Sequence, residues 1–313
     1  MASGDERRTR RAVAAARRLA AEILEFRDDQ LARRARALRR AGPRAPALGV
    51  EPRLRRSAGV RGNAGVLIAE GDSWFDYPLH DVLRILEDHH GYDVQSVAHK
   101  GERIESMAYE RGQFEQFTRM LEKLLRENKV PSAILLSGGG NDVAGDTFGT
   151  LLNHAASVRP GLSRAVLAGV IDERIADAYL FLLAALTRLA RGRTGRTIPI
   201  VVHGYDYPVP DGRGFAGGWG PLPGPWLQPG YREKGFADLD ENTRSAARFV
   251  DRFNAMLRRV AATGGFEHVR YLDLRGTLSN GPSYRTWWAN ELHPTGRGFE
   301  RVAAKFAALI ASL

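Results

Sequence analysis

Cysteine is absent from all 313 residues. That excludes a disulfide framework, a thiolate metal site and a cysteine nucleophile. It fits a reducing compartment, and the cytoplasm is the expected location. No run of 18 apolar residues occurs, which excludes a transmembrane helix of ordinary length. The sequence also lacks H-E-x-x-H and G-x-x-x-x-G-K-[ST], so neither a paired-histidine zinc site nor a P-loop is present, and no cofactor or metal is implied. The first residues form no continuous apolar stretch, which argues against a secretory signal. Asp5, Glu6, Glu22, Glu25, Asp28 and Asp29 argue against a transit peptide. What remains is 43% hydrophobic and 26% charged, an ordinary globular composition for a chain long enough to bury a full core.

The chain has 46 basic and 36 acidic side chains, a net of +10, and only five of the basic ones are lysines. Residues 1–62 carry 17 arginines and seven acids, so they hold the whole excess. Residues 63–313 are balanced, 29 against 29. The charge therefore separates an arm and linker (1–62) from a domain (63–313). Residues 5–40 have the pattern of a helix, Ala-rich and without Pro, with Leu24, Leu31 and Leu38 seven apart. Residues 41–65 are rich in Gly and Pro, a linker composition. A charge run of this kind usually solvates the outer face of a helix that docks on the domain or pairs with a second copy. The sharper alternatives are contact with nucleic acid or with an anionic membrane.

Beyond residue 65 short apolar runs alternate with longer helical stretches. The runs at 66–69, 94–97, 133–136, 198–202 and 269–272 predict strands. The stretches near 79–90, 104–128, 164–191, 242–263 and 297–312 predict helices. This alternation predicts a doubly wound, five-stranded parallel sheet in an α/β/α arrangement. Strands buried on both faces account for apolar runs that do not alternate. The first four strands lead into polar or Gly-rich segments: Glu70-Gly71-Asp72-Ser73, His99-Lys100-Gly101, Gly138-Gly139-Gly140-Asn141-Asp142 and His203-Gly204-Tyr205-Asp206. Ligands bind at the carboxyl ends of strands in such sheets, so these four segments are expected to converge.

Gly71-Asp72-Ser73, Gly101 after the second strand, Gly140-Asn141-Asp142 after the third, and His293-Pro294 before the last helix together resemble the SGNH (GDSL) hydrolases. The resemblance spans residues 66–312. It implies a flavodoxin-like sheet and a serine esterase or lipase acting on a small-molecule carboxylic ester. By position, Ser73 resembles the nucleophile and His293 the general base. The Ser73 N–H, the Gly101 N–H and the Asn141 side chain resemble the oxyanion hole. A serine hydroxyl needs a neighbouring imidazole to become a nucleophile, and a tetrahedral oxyanion needs preorganised donors.

The chain departs from that pattern at one position. The family usually has Asp three residues before its histidine, and here that residue is Asn290. An amide oxygen accepts a hydrogen bond from the ring but does not balance an imidazolium. Glu291 is the nearest acid. A helical turn would turn it away from His293, whereas an extended segment would bring it to the same side. Glu291 and a main-chain carbonyl therefore stay open beside Asn290 as the group that orients the ring.

Residues 203–231 form a long Gly/Pro/Trp segment of the kind that serves as a lid or binding loop. Tyr205, Trp219 and Trp226 from this segment, Trp74, Phe75 and Tyr77 after the serine, and Trp288 beside the histidine are the expected pocket walls. The expected activity is ester hydrolysis. The alternative, motivated by the missing aspartate, is a weakly active or non-catalytic binding module whose working part is the basic arm.

Overall fold

A computed structural model describes residues 4–41, 64–217 and 222–313. The linker proposed at 41–65 falls mostly outside these residues, as does Trp219. Every apolar run marked in the sequence becomes a strand: β1 (Gly65–Glu70), β2 (Tyr92–Ser96), β3 (Ala133–Leu136) and, further on, β6 (Ile200–His203) and β7 (Val269–Leu272). Between them, β4 (Leu152–Asn153) and β5 (Gly161–Leu162) pair as a separate antiparallel ribbon that no sequence signal marks. The five main strands are parallel, in the order β2-β1-β3-β6-β7. The order reverses between β1 and β3, which opens the crevice where such sheets bind ligands.

Alternate residues of the central strands feed opposite apolar layers, as the pleat requires. Leu67, Ala69, Ala133, Leu135 and Val201 pack against α2 (Val82–His90) and α9 (Gly296–Ile310). Ile68, Ile134, Leu136, Ile200 and Val202 pack toward the helices of the other face, among them α4 (Arg111–Arg126), α6 (Ala176–Thr194) and α8 (Leu239–Ala261). Helix α2 starts where the Asp81 carboxylate accepts from the Arg84 N–H (2.8 Å) and stops at Gly91, whose φ of 73° is left-handed. His89 and His90 form its last turn.

Two helical stretches are less continuous than their sequences suggest. The 104–128 stretch divides into α3 (Ile104–Tyr109) and α4, with Glu110 extended between them. No Pro marks this break, and the nearest Gly, Gly112, already lies inside α4. Ile104 and Met107 turn in to contact Gly138 beyond β3, while Phe114, Phe117 and Leu121 join the deeper core, so packing overrides local propensity. The 164–191 stretch becomes α5 (Arg164–Leu167), a π-helical segment (Ala168–Ile175) and α6. The Gly/Pro/Trp segment ends in a short helix, α7 (Gln228–Glu233).

The arm forms α1 (Gly4–Ala41) and lies along α6. Ala16, Ala20 and Ile23 are fully buried in the same apolar cluster as α6. Leu24 rests against Gly192, where a Cβ would come within 2.6 Å of it. The contact includes Leu24 but does not follow the seven-residue spacing on to Leu38, which is 63% exposed. A buried ion cluster fastens the contact. Glu122 of α4 meets Arg27 of α1 at 2.6 Å and Arg193 of α6 at 3.1 Å, and Arg193 also reaches Asp28 at 2.5 Å. Such a carboxylate, 5% exposed, is tolerated because two guanidinium groups face it. Ile23→Ala is expected to lower unfolding stability by about 2–5 kcal/mol, the usual range for a buried isoleucine. A urea midpoint unchanged from the parent would show that α1 is not part of the core.

Candidate active site

The turn after β1 is built to hold Ser73 out from the sheet. Gly71 is required because a Cβ there would lie 2.9 Å from both the Cβ and the carbonyl oxygen of Ser137. Asp72, 2% exposed, turns inward instead. Its Oδ1 accepts from the Trp74 N–H (3.0 Å) and the Ser137 hydroxyl (2.7 Å), and its Oδ2 accepts from the Tyr205 hydroxyl. Tyr205 in turn accepts from the Gly140 N–H (3.1 Å). One carboxylate thus ties together the ends of β1, β3 and β6, and Ser73 projects from the tied end.

Ser73 Oγ lies 2.7 Å from His293 Nε2, although 220 residues separate them in the chain. The histidine arrives on a tight turn between Trp288 and Pro294, which form an isolated antiparallel bridge. The Trp74 indole N–H donates to the Leu292 carbonyl (3.1 Å) and so joins the serine turn to the histidine turn. Tyr77 stacks on the imidazole with centroids 4.2 Å apart and planes at 19°, and Trp226 meets it edge-on at 5.4 Å. His293 is 5% exposed, and burial pushes its pKa down to about 3.

Asn290 faces the other ring nitrogen, with Oδ1 3.0 Å from His293 Nδ1. The same oxygen accepts from the main-chain N–H groups of Leu292 (3.0 Å) and His293 (2.9 Å), while Nδ2 donates to the Tyr77 hydroxyl (2.9 Å). These partners fix the amide orientation. They require Nδ1 to carry the proton and leave Nε2 as an acceptor for the serine hydroxyl. Glu291 does not touch the ring. Its buried carboxylate accepts from four main-chain N–H groups of the Gly/Pro/Trp segment: Trp226 (2.6 Å), Leu227 (2.7 Å), Gly212 (2.9 Å) and Gln228 (3.0 Å). Neighbouring residues thus divide the work: Asn290 orients the imidazole and Glu291 clamps the loop that covers it.

Gly101 and Asn141 line the same cleft as Ser73 and His293. Gly101 has φ +82°, a left-handed conformation that favours glycine, and a Cβ there would meet nothing within 4 Å. Backbone conformation, rather than crowding within the protein, sets the requirement. The Ser73 and Gly101 N–H groups make no hydrogen bond among the described residues. Asn141 donates one amide hydrogen to the Glu102 carbonyl (2.9 Å), which docks it against the Gly101 turn and leaves its second hydrogen free of a protein partner. Asp142 fastens that turn from behind, accepting from the Ile104 N–H (2.8 Å). Burial raises its carboxyl pKa to about 6.

The cleft has a volume of about 440 Å³ and is walled by Tyr77, Phe215, Leu222, Pro223 and Trp226. A second, mostly apolar cavity of about 70 Å³ adjoins Ser73 on the other side, against Trp74, Tyr205, Trp288, Phe148 and Leu227. The aromatic residues expected as walls thus fall on two different spaces. Phe75 lines neither and packs into the core with His203 and Phe306. Among the described residues no cluster of His, Asp and Glu has the arrangement to hold a metal ion, and no helix is long and apolar enough to cross a membrane. The Asp72–Tyr205 tie and the Glu291 clamp escaped the sequence reading, because each joins residues 63 or more apart without a periodic signal.

The fold and geometry define a doubly wound α/β protein with a serine–histidine–asparagine chain of hydrogen bonds at its switch point. No family model matches the sequence, and no curated protein matches it either. Solved structures that align with it include a protein from Slackia heliotrinireducens described as a candidate SGNH hydrolase, at 15% identity over 79% of this chain and 98% of that one, with a TM-score of 0.41. An extracellular lipase from Streptomyces rimosus aligns at 18% identity over 79% and 100%, with a TM-score of 0.40. A carbohydrate esterase of family 3 from Talaromyces cellulolyticus aligns at 13% over 80% and 99%, with a TM-score of 0.42. Values this low fix neither reaction nor substrate, which have to come from the site itself.

Glu291→Gln replaces two acceptor oxygens by one oxygen and one N–H₂, and since each oxygen accepts from two N–H groups, two main-chain donors lose their partner. About 2–4 kcal/mol of stability should be lost, the scale of one or two charge-assisted hydrogen bonds. Protease cutting within residues 208–231 should become faster. Unaltered resistance to proteolysis would remove the clamp.

Proposed function

We propose that this protein is a serine hydrolase of the SGNH type that cleaves a carboxylic ester. The observation that carries the reading is the continuous hydrogen-bonded line from Ser73 Oγ to His293 Nε2 (2.7 Å) and from His293 Nδ1 to Asn290 Oδ1 (3.0 Å), opening on a cleft. In this reading the Ser73 oxygen attacks the ester carbonyl carbon as its proton passes to His293 Nε2. The Ser73 N–H, the Gly101 N–H and the free Asn141 amide hydrogen receive the oxyanion. Collapse of the intermediate expels the alcohol, which takes the proton from His293. A water molecule then repeats the sequence on the acyl-enzyme, releasing the acid and restoring Ser73.

Asn290 supplies half of what a carboxylate would. An Asp→Asn change in a serine protease triad lowers kcat by about 10⁴, chiefly through the wrong imidazole tautomer. Here the tautomer is already correct, because two main-chain N–H groups hold Oδ1 toward the ring. The imidazolium formed during reaction still lacks a countercharge. That shortfall supports a second reading, a binding protein with little turnover. The outward arginines of α1, including Arg33, Arg34, Arg36 and Arg39, are then the candidate contacts for nucleic acid, an anionic membrane or a second copy. Light scattering and the salt dependence of binding separate these partners.

Ser73→Ala should lower p-nitrophenyl acetate turnover by at least about 10³-fold without changing the melting temperature, and Asn141→Ala by about 10²–10³-fold. Turnover retained in Ser73→Ala would end the assignment.

A general base works only when neutral, and burial holds His293 near 3, so kcat/KM should stay level well below the ordinary histidine range before its acid limb. Asn290→Asp supplies the countercharge, which raises the His293 pKa. The acid limb should move to higher pH, and kcat/KM at pH 8 should be equal to or above that of the parent. A large loss at pH 8, or an unmoved limb, would contradict the role given to Asn290.

A further inference from the structure

A groove of about 770 Å³ lies between the first half of α8 and the β5–α5 segment, with Tyr231 of α7 in its wall. Its wall carries four arginines, Arg164, Arg244, Arg248 and Arg252, against one carboxylate, Glu241. The excess is local, since residues 63–313 as a whole are charge-balanced. Arg252 is held by Asp172. Arg164, Arg244 and Arg248 make no ion pair or hydrogen bond among the described residues, although other arginines of the chain, such as Arg193 and Arg275, find carboxylates. Tyr231 forms part of the same wall and is 1% exposed. Beyond a loose contact with Ser245, its buried hydroxyl has no partner. A polar group buried in this way is costly unless something satisfies it.

The spacing indicates what would fit. Arg244, Arg248 and Arg252 recur every four residues along α8, about 6 Å of rise per step, so their guanidinium groups form a row rather than a point. Each guanidinium presents a planar fork that matches the oxygens of a phosphate. With Arg252 held by Asp172, the two free forks of Arg244 and Arg248, one turn apart along a wide groove, suit a ligand with two anionic centres. We propose that this groove binds a small phosphorylated ligand with at least two phosphate groups, with Arg244 and Arg248 as the principal contacts and the Tyr231 and Ser245 hydroxyls as neutral donors beneath them. The groove shares no lining residue with the catalytic cleft and holds no residue of the catalytic line, so it stands or falls independently of the hydrolase reading.

Isothermal titration of the full-length protein with pyrophosphate and with orthophosphate tests this. Pyrophosphate should bind saturably below 1 mM at low salt, at least about tenfold tighter than orthophosphate, and added NaCl should weaken it. The Arg244→Ala/Arg248→Ala double variant, checked by its melting curve, should lose at least about tenfold in affinity. Arg244→Lys/Arg248→Lys should recover only part of it. Ser73→Ala should bind as the parent does. Absence of saturable pyrophosphate binding, equal affinity for the two anions, or undiminished binding by the folded double-alanine variant would overturn the proposal.

Discussion

The amide oxygen of Asn290 accepts from the main-chain N–H groups of Leu292 and His293, and an oxygen held by two donors meets the imidazole as an acceptor only. His293 therefore keeps its proton on Nδ1 and presents a bare Nε2 to Ser73. The rest of the site rests on that constraint. With the opposite tautomer, Nε2 would be a donor, and the 2.7 Å contact could not take the serine proton. The tight 290–293 turn supplies the constraint at no cost in charge, which matters for a ring 5% exposed. A buried carboxylate in the same place would need its own compensation.

Three features keep the turn and Ser73 in register. The Trp74 indole bonds the Leu292 carbonyl, Tyr77 stacks on the ring while accepting from Asn290, and Asp72 gathers the ends of β1, β3 and β6. Glu291 then closes the arrangement from outside by clamping the segment that brings Trp226 against His293. Ser73, Gly101, Asn141 and His293 therefore come from four separate pieces of chain held in place by hydrogen bonds around them. That preorganisation is what electrostatic catalysis demands.

The sheet was readable because its physical cause is local. Parallel strands buried on both faces must be apolar throughout, and 66–69 and 133–136 are. Ser73, Gly101, Asn141 and His293 could be listed as one group because each follows a strand or precedes a helix in a recognisable order. The Asn290–Glu291 ambiguity could not be resolved from sequence, since it depends on whether the 290–293 backbone turns or extends. The Tyr205 bond to Asp72 arises from a tertiary contact that leaves no local signal, and the break at Glu110 leaves only Gly112, a residue that helices also tolerate. The arm shows the same limit. The spacing of Leu24, Leu31 and Leu38 marks a helix but not its contact, which is made by Ala16, Ala20, Ile23 and Leu24, with Leu24 against Gly192 and Leu38 exposed.

The most direct test of the account is the rate at which a fluorophosphonate modifies the protein at pH 5 and at pH 7.5, with the adduct located by peptide mass spectrometry. A buried, neutral His293 should activate Ser73 almost equally at both values, giving one adduct, on Ser73, at rates within a few-fold of each other. An adduct elsewhere, none at all, or a rate that falls more than about tenfold at pH 5 would contradict it, because the imidazole would then be titrating as an ordinary exposed histidine.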